Sequence, residues 1–274
     1  MRHLKKKQSL KSDYLVRPKK ALGQHFLTSE SIARTIVEAG KLTEKSTVYE
    51  IGPGTGILTK ELLQKGHQVV AVEKDSHAIT LLKERFSFEI KKGTLLLIEG
   101  DALIETPEKL GLSNYSVIAN IPYFITGALI RMLFSQKNLP KSVVLLVQKE
   151  VAERIARAKK ESILSLSVKA YGTPTYVRTV QKGSFNPPPR VDSAILSIQH
   201  ISRTTIGKNR DEELFFELLH KGFSEKRKRL KKNLEKIVPK EVLETTWEAL
   251  SISPDVRAED VPLSLWLHIL AKVK

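Results

Sequence analysis

At 274 residues, the chain is long enough for one large domain plus an appendage, and a 41% hydrophobic content excludes disorder as its main state. With no cysteine, disulfide scaffolds, thiolate metal sites, iron–sulfur clusters and catalytic thiols are excluded, and no metal site is expected. A formal charge of +16 calls for a polyanionic partner, either nucleic acid or an anionic membrane surface.

The N-terminus carries Arg2, Lys5, Lys6, Lys7, Lys11, Arg17, Lys19 and Lys20 against a single acid, Asp13. Charges recur after Lys7 before any apolar run can form, so no signal peptide is expected and the cytoplasm is the default. The segment reads either as a solvated tail or as an arm that contacts RNA. From about Thr28 helical and strand periods alternate. Helices are expected near 29–40, 55–65 and 76–86, with strands at 47–51 and 68–73 between them. Strands over 94–101, 115–120 and 142–148, a helix near 126–135 and a helix from Lys149 follow. Residues 110–130 carry no charge, but Asn114, Asn120, Pro122 and two glycines interrupt them, which makes them a strand, a loop and a helix rather than a membrane span. Strands that are apolar throughout, separated by helices, imply a mostly parallel sheet covered on both faces. YVRTV (176–180) and VDSAILSIQ (191–199) flank the loop QKGSFNPPPR and add an antiparallel edge. Beyond His200 the strand signal stops, and 211–274 reads as short helices punctuated by Pro239, Pro254 and Pro262.

EIGPGTGILT (50–59) follows a strand and opens a helix, where α/β sheets hold ligands against backbone amides. Gly52, Gly54 and Gly56 form G-x-G-x-G, and Ile57 stands where the dinucleotide fingerprint needs its third glycine; no Walker lysine follows either. The spacing suits a ligand that touches the backbone without a phosphate, and S-adenosylmethionine is the common one. Glu73, at the end of the next strand, is placed to accept both ribose hydroxyls, and Asp101, ending the third, to accept from an adenine amine. Each acid alone reads as a helix cap or surface residue; their order at successive strand ends favours a nucleoside-type cofactor.

NIPY (120–123) leaves the fourth strand at the same edge of the sheet. The exocyclic amine of a base is a weak nucleophile because its lone pair is delocalised into the ring. Acceptors that hold its N–H bonds let nitrogen rehybridise as it attacks a methyl group, and the Asn120 side-chain oxygen and the Ile121 carbonyl can do this. Pro122 fixes the turn, and Tyr123 offers a ring for a flipped base. No strong general base is required, because the protonated amine loses its proton to water. Alone, the motif is an ordinary Asn-x-Pro turn; after the glycine loop, Glu73 and Asp101 it reads as a reaction site.

Several stretches resemble one family, the KsgA-type small-subunit rRNA adenine dimethyltransferases. They are KKALGQHFL (19–27), EIGPGTGILT, VEKD (72–75), GDAL (100–103), NIPYFIT (120–126), QKEVAERI (148–155), SFNPPPRVDSAI (184–195), GFSEKRKRLKKNL (222–234) and DVRAEDVPLS (255–264). The resemblance implies an α/β, Rossmann-like methyltransferase domain over 28–203, with a mostly parallel sheet and an antiparallel edge. A basic arm carrying a cofactor-site segment precedes it over 1–27, and a small all-α RNA-binding domain follows over 210–274. It implies S-adenosylmethionine as cofactor, contacted by His25, Leu27, Gly52, Gly54, Gly56, Glu73, Asp101 and Asn120, and a target adenine held between Tyr123 and Phe185. It implies dimethylation of two adjacent adenosines near the 3′ end of small-subunit (16S) rRNA during ribosome assembly, by a cytoplasmic monomer acting on a pre-assembled small subunit. His25 stands where the family pattern has asparagine.

In the C-terminal part Lys226, Arg227, Lys228, Arg229, Lys231 and Lys232 are expected to share one helix. Phe223, Leu230, Leu234 and Ile237 form its buried stripe at helical spacing, Lys226 and Arg227 snorkel along the edge, and Lys228, Arg229, Lys231 and Lys232 face RNA phosphates. A solvated helix face is the plain alternative. Two other functions compete. A resistance-type large-subunit rRNA adenine methyltransferase shares the glycine loop, NIPY and F-x-P-x-P, but VDSA (191–194) and VRAEDVPLS (256–264) resemble the small-subunit group. An RNA-binding assembly factor without catalysis would have no need of an intact Gly52, Glu73, Asp101, Asn120 and Tyr123.

Overall fold

The computed structural model describes residues 18, 19, 22–207 and 210–274. Of the arm's eight Lys and Arg side chains only Lys19 falls among them; Arg2, Lys5, Lys6, Lys7, Lys11, Arg17 and Lys20 lie outside the described residues.

The apolar strands expected at 47–51, 68–73, 115–120 and 142–148 form because each finds a neighbour on both edges, while the one expected at 94–101 closes the sheet as an edge strand. In chain order the elements are β1 (Phe26–Leu27), α1 (Glu30–Ala39), β2 (Thr47–Ile51), α2 (Ile57–Gln64), β3 (Gln68–Glu73), α3 (Ser76–Arg85), α4 (Ser87–Lys92), β4 (Leu95–Glu99), β5 (Tyr115–Asn120), α5 (Thr126–Ser135) and β6 (Val143–Gln148). Then come α6 (Lys149–Ala156), α7 (Ile163–Tyr171), β7 (Thr173–Val180), β8 (Phe185–Asn186), β9 (Ser193–Gln199), α8 (Arg210–Gly222), α9 (Leu230–Leu234), α10 (Lys240–Ala249) and α11 (Leu263–Val273). The main sheet has the strand order β4-β3-β2-β5-β6-β9-β7, parallel from β4 through β6. This is the mostly parallel, Rossmann-like sheet expected, with the order reversing at β2. Ligands bind where the order reverses, outside the carboxyl ends of the strands.

The chain falls into two compact units. The first runs to Lys149 and takes in Val177–Ser197; the second comprises Glu150–Tyr176 and Ile198–Lys274. Segment 150–176 thus groups with the C-terminal helices, although the sequence makes it continuous with the strands before it. In the first unit Ile36 and Val37 of α1 and Leu58 and Leu62 of α2 pack with Val48, Val69, Ile118 and Val144 of the sheet. Full burial of each such side chain is worth roughly 1.5–3 kcal/mol. Local signals set the helix starts: Ser29 caps α1, and Asp75 caps α3 by accepting the His77 N–H.

The helix expected from Lys149 is α6, which ends at Ala156, and α7 starts anew because Ser162 and Ser165 form a reciprocal capping box. The single helix expected to carry the cationic run does not exist. α8 ends at Gly222, residues 223–229 form a connection, and only Leu230–Leu234 is helical again. The break has a packing cause. A side chain at Gly222 would come within 2.4 Å of the Trp266 ring, and buried Asn233 donates from Nδ2 to the carbonyls of Gly222 (2.7 Å) and Glu225 (3.1 Å), tying the connection back on itself. Leu230 and Leu234 are buried as expected, while Phe223 and Ile237 are only partly so.

Candidate functional site

A cavity of about 400 Å³ opens at the carboxyl ends of β2, β3, β4 and β5 in the first unit. Its wall is built from the segment before β1, the glycine loop after β2, Glu73, Asp101 and the NIPY turn after β5.

The glycine loop is shaped by three left-handed residues, Gly52 (φ +66°), Gly54 (φ +56°) and Gly56 (φ +79°). Gly52 leaves the room: the nearest atom to a Cβ added there, the Asn120 carbonyl oxygen, is 3.8 Å away. At Gly54 and Gly56 the space is taken by the chain itself, since added Cβ atoms would meet the rings of Phe26 at 2.9 Å and Phe86 at 2.6 Å. Gly56 does not line the cavity; it caps α2. Beneath the loop Glu50 is fully buried, one carboxyl oxygen accepting the Thr59 hydroxyl at 2.7 Å. Burial pushes the Glu50 carboxyl up to about 8 and the charge of Glu73 adds to the rise, against the Thr59 hydrogen bonds.

Glu73 is aimed by two backbone donors. Oε2 accepts the Gly54 N–H and Oε1 the Asp75 N–H, both at 2.9 Å, which leaves each oxygen a second lone pair for a ribose hydroxyl. Burial raises the Glu73 carboxyl above the usual carboxylate range, opposed by those backbone bonds. Asp101 accepts Lys74 Nζ at 2.8 Å and the Leu103 N–H at 2.9 Å, and these bonds, the Lys74 one foremost, hold its carboxyl low. The loop that carries it is pinned by the Tyr49 hydroxyl, which donates to the Glu105 carbonyl at 2.7 Å. A left-handed glycine open to the cavity, an oriented carboxylate and an acid one strand further on fit the sugar and base of S-adenosylmethionine.

Asn120 ends β5 and donates from Nδ2 to the His25 carbonyl at 3.1 Å, so Oδ1 is the end available to an incoming amine. Ile121, Pro122 and Tyr123 line the same wall. The Tyr123 hydroxyl shares a 2.6 Å hydrogen bond with Ser193, and its ring stacks on His25 at 6.1 Å between centroids. His25 Nδ1 donates to the Pro187 carbonyl at 2.8 Å, leaving Nε2 as the ring nitrogen that can face a ligand. Leu27 lines the cavity too.

Phe185 is not brought to this wall. β1 and β8 form a short antiparallel pair with Leu27 opposite Phe185, and the ring, 5% exposed, packs in the core cluster with Leu27. An aromatic ring here gains more from burial under Leu27 than from facing water beside Tyr123. Phe185→Leu should lower Tm by a few degrees and weaken cofactor binding, because Phe185 supports the segment that carries His25 and Leu27. Thermal melts with calorimetry check this; a loss confined to the KM for RNA would put the ring against the base instead.

Three residues join the site that the sequence reading did not single out. Buried Asp75 accepts Lys19 Nζ at 2.7 Å and Gln24 Nε2 at 3.3 Å, holding the segment before β1 in place. Burial alone would raise the Asp75 carboxyl, but Lys19, Gln24 and the His77 N–H hold it below its usual range. Ser193 fixes Tyr123. All three, Asp75, Gln24 and Ser193, lie within stretches quoted above, VEKD, GQHFL and VDSA, and that is the signal that could have found them.

Lys228, Arg229, Lys231 and Lys232 belong to the second unit. Lys228, Arg229 and Lys232 are exposed and form ion pairs with Glu225 (2.7 Å), Asp255 (2.8 Å) and Glu235 (2.9 Å), while Lys231 is half-buried. Among the described residues no helix is long and apolar enough to cross a membrane.

Comparison with known proteins agrees with this geometry. The model of the family described as ribosomal RNA adenine dimethylase matches residues 16–274. A ribosomal RNA small subunit methyltransferase A from Dehalococcoides mccartyi is 40% identical over 260 residues, 92% of this chain and 87% of that protein. One of the same name from a Nostoc species is 37% identical over 269 residues, 93% and 97% of the two chains. The crystal structure of a dimethyladenosine transferase from Plasmodium falciparum superposes with a TM-score of 0.76 at 32% identity, covering 89% of this chain and 96% of that one. The 23S rRNA methyltransferase ErmE has the same fold, with a TM-score of 0.75 at 22% identity over 90% of this chain and 99% of its own. The chain belongs to the ribosomal RNA adenine dimethylase family.

Proposed function

We propose that this chain uses S-adenosylmethionine to dimethylate the N6 amines of two adjacent adenosines near the 3′ end of small-subunit rRNA during ribosome assembly. The observation that carries the reading is Asn120: its amide nitrogen is committed to the His25 carbonyl, so its oxygen faces a cavity that also holds Glu73 and Asp101. The names of the relatives support small-subunit rRNA as the substrate, and the likeness to ErmE extends to the fold alone.

When bound, S-adenosylmethionine supplies a methyl group activated by its sulfonium. Gly52, Glu73 and Asp101 would hold its nucleoside, with Leu27 and His25 closing over it. In the first transfer Asn120 Oδ1 and the Ile121 carbonyl accept the two N–H bonds of the target amine, in the second the one N–H that remains, and positive charge growing on nitrogen strengthens these bonds in the transition state. Tyr123, its ring fixed by Ser193 and His25, supports one face of the flipped base. The pre-assembled small subunit is the working substrate, a monomer the working form and the cytoplasm the working place. Labelled methyl groups should pass from S-adenosylmethionine to unmethylated small subunits and not to large ones; the reverse preference would favour the large-subunit reading.

The cations of the second unit serve RNA docking. Their ion pairs are exposed, and such pairs are worth about 0–1 kcal/mol, so phosphates can displace the carboxylates. Changing Lys228, Arg229, Lys231 and Lys232 together to Gln should lower the slope of log affinity against log salt by roughly 2 to 3, at about 0.7–0.9 per phosphate contact. Cofactor affinity should stay constant. Filter binding across a salt series reads the slope, and an unchanged slope would leave these residues merely solvated.

A further inference from the structure

Phe124 is 73% exposed, although it directly follows Tyr123 and lines the mouth of the cavity. Its backbone belongs to a hydrogen-bonded turn. The turn Tyr123–Ile125 is closed by the Ile125 N–H donating to the Pro122 carbonyl (3.2 Å) and the Thr126 hydroxyl donating to the Tyr123 carbonyl (2.9 Å). One edge of the ring lies against Gly23, where an added Cβ would come within 3.1 Å of it. The next outward residues, Gly127 and Ala128, are small and exposed, and nothing stands within 4 Å of a Cβ added at Gly127. Phe124 is therefore an exposed aromatic surface at the rim of the cavity, with open space beside it.

We propose that Phe124 is a positioning residue for the RNA: it stacks on the nucleotide next to the adenine taken into the cavity. The proposal rests on the functional reading above and adds a second contact to it. When one base leaves a strand, its neighbour loses a stacking partner, and an aromatic ring one residue from Tyr123 stands where it can replace it. A phenyl ring suits this because every base has a π face, so the contact tolerates either adenine of an adjacent pair occupying the pocket while the other rests outside. An aliphatic side chain of similar size would cover the rim without stacking.

The test uses the full chain, unmethylated small subunits and S-adenosylmethionine, with Phe124→Ala, Phe124→Leu and Phe124→Tyr compared to the wild type. The expected result is a KM for subunits raised roughly 5- to 150-fold in the Ala variant, the range of one lost base–aromatic stack, and also raised in Leu but near wild type in Tyr. Tm should be unchanged in all three, and cofactor affinity by calorimetry and the single-turnover rate at saturating subunits should stay within about twofold. An unchanged KM in the Ala variant, or a Leu variant that performs as well as Tyr, would overturn the stacking role while leaving the enzyme's reaction intact. A wild-type protein inactive on small subunits would instead overturn the functional reading, and the proposal with it.

Discussion

Replacing Asn120 by alanine should lower the rate of methyl transfer by roughly a hundredfold or more while cofactor affinity changes by no more than a few fold. The contact matters most at the moment of transfer. The target amine is nearly neutral in the bound base and becomes positive as nitrogen attacks, so an amide oxygen that accepts one of its N–H bonds gains strength at that moment, and the gain appears in the chemical step. Asn120 also donates to the His25 carbonyl at 3.1 Å, a bond that the alanine loses and that accounts for a small cofactor effect. Single-turnover kinetics with calorimetry separate the two; a transfer rate near wild type would remove Asn120 from the reaction.

Glu73→Ala should weaken S-adenosylmethionine binding about 10- to 150-fold, the loss of roughly 1.5–3 kcal/mol for a charge-assisted contact to paired hydroxyls. The substitution also strips the Gly54 and Asp75 N–H groups of their acceptor, which loosens the loop against which the cofactor lies. A pH signature accompanies it. Because burial raises the Glu73 carboxyl, its ionised form, the better acceptor, is lost at a higher pH than for an exposed glutamate. Affinity should therefore fall as pH is lowered through that raised value, starting at a higher pH than for an exposed glutamate, and the alanine variant should lack this fall. Calorimetry on both proteins across pH checks it, and equal affinity at neutral pH would place the ribose elsewhere.

Much of this architecture is legible because it is local or periodic. The strands TVYEI and QVVAVE are apolar along their length, the helix starts carry Ser29 and Asp75, and the glycine loop, Glu73, Asp101 and Asn120 stand at successive strand ends, so the parallel topology alone gathers them. What escaped depends on partners far along the chain. Phe185 precedes three prolines and reads as a loop aromatic; only its pairing opposite Leu27 makes it core. The cationic helix looked continuous because Phe223, Leu230 and Leu234 keep helical spacing, and the break follows from Trp266 pressing on Gly222 and from Asn233 turning back to its carbonyl. Ser193 shows as a ligand of Tyr123 only once β9 and the NIPY turn face each other. Exposure, as at Phe124, has no signature in a run as apolar as IPYFI.

That this chain dimethylates adenine N6 in small-subunit rRNA is a claim that reverse transcription of the RNA decides, after purified protein and S-adenosylmethionine have acted on unmethylated small subunits. Two methyl groups on N6 block the pairing edge of the base. The expected result is a new strong stop at two adjacent adenosines near the 3′ end of the small-subunit RNA, absent when Asn120→Ala replaces the wild type over the same time. No stop in that RNA, or a stop that arises in large-subunit RNA instead, would contradict the claim.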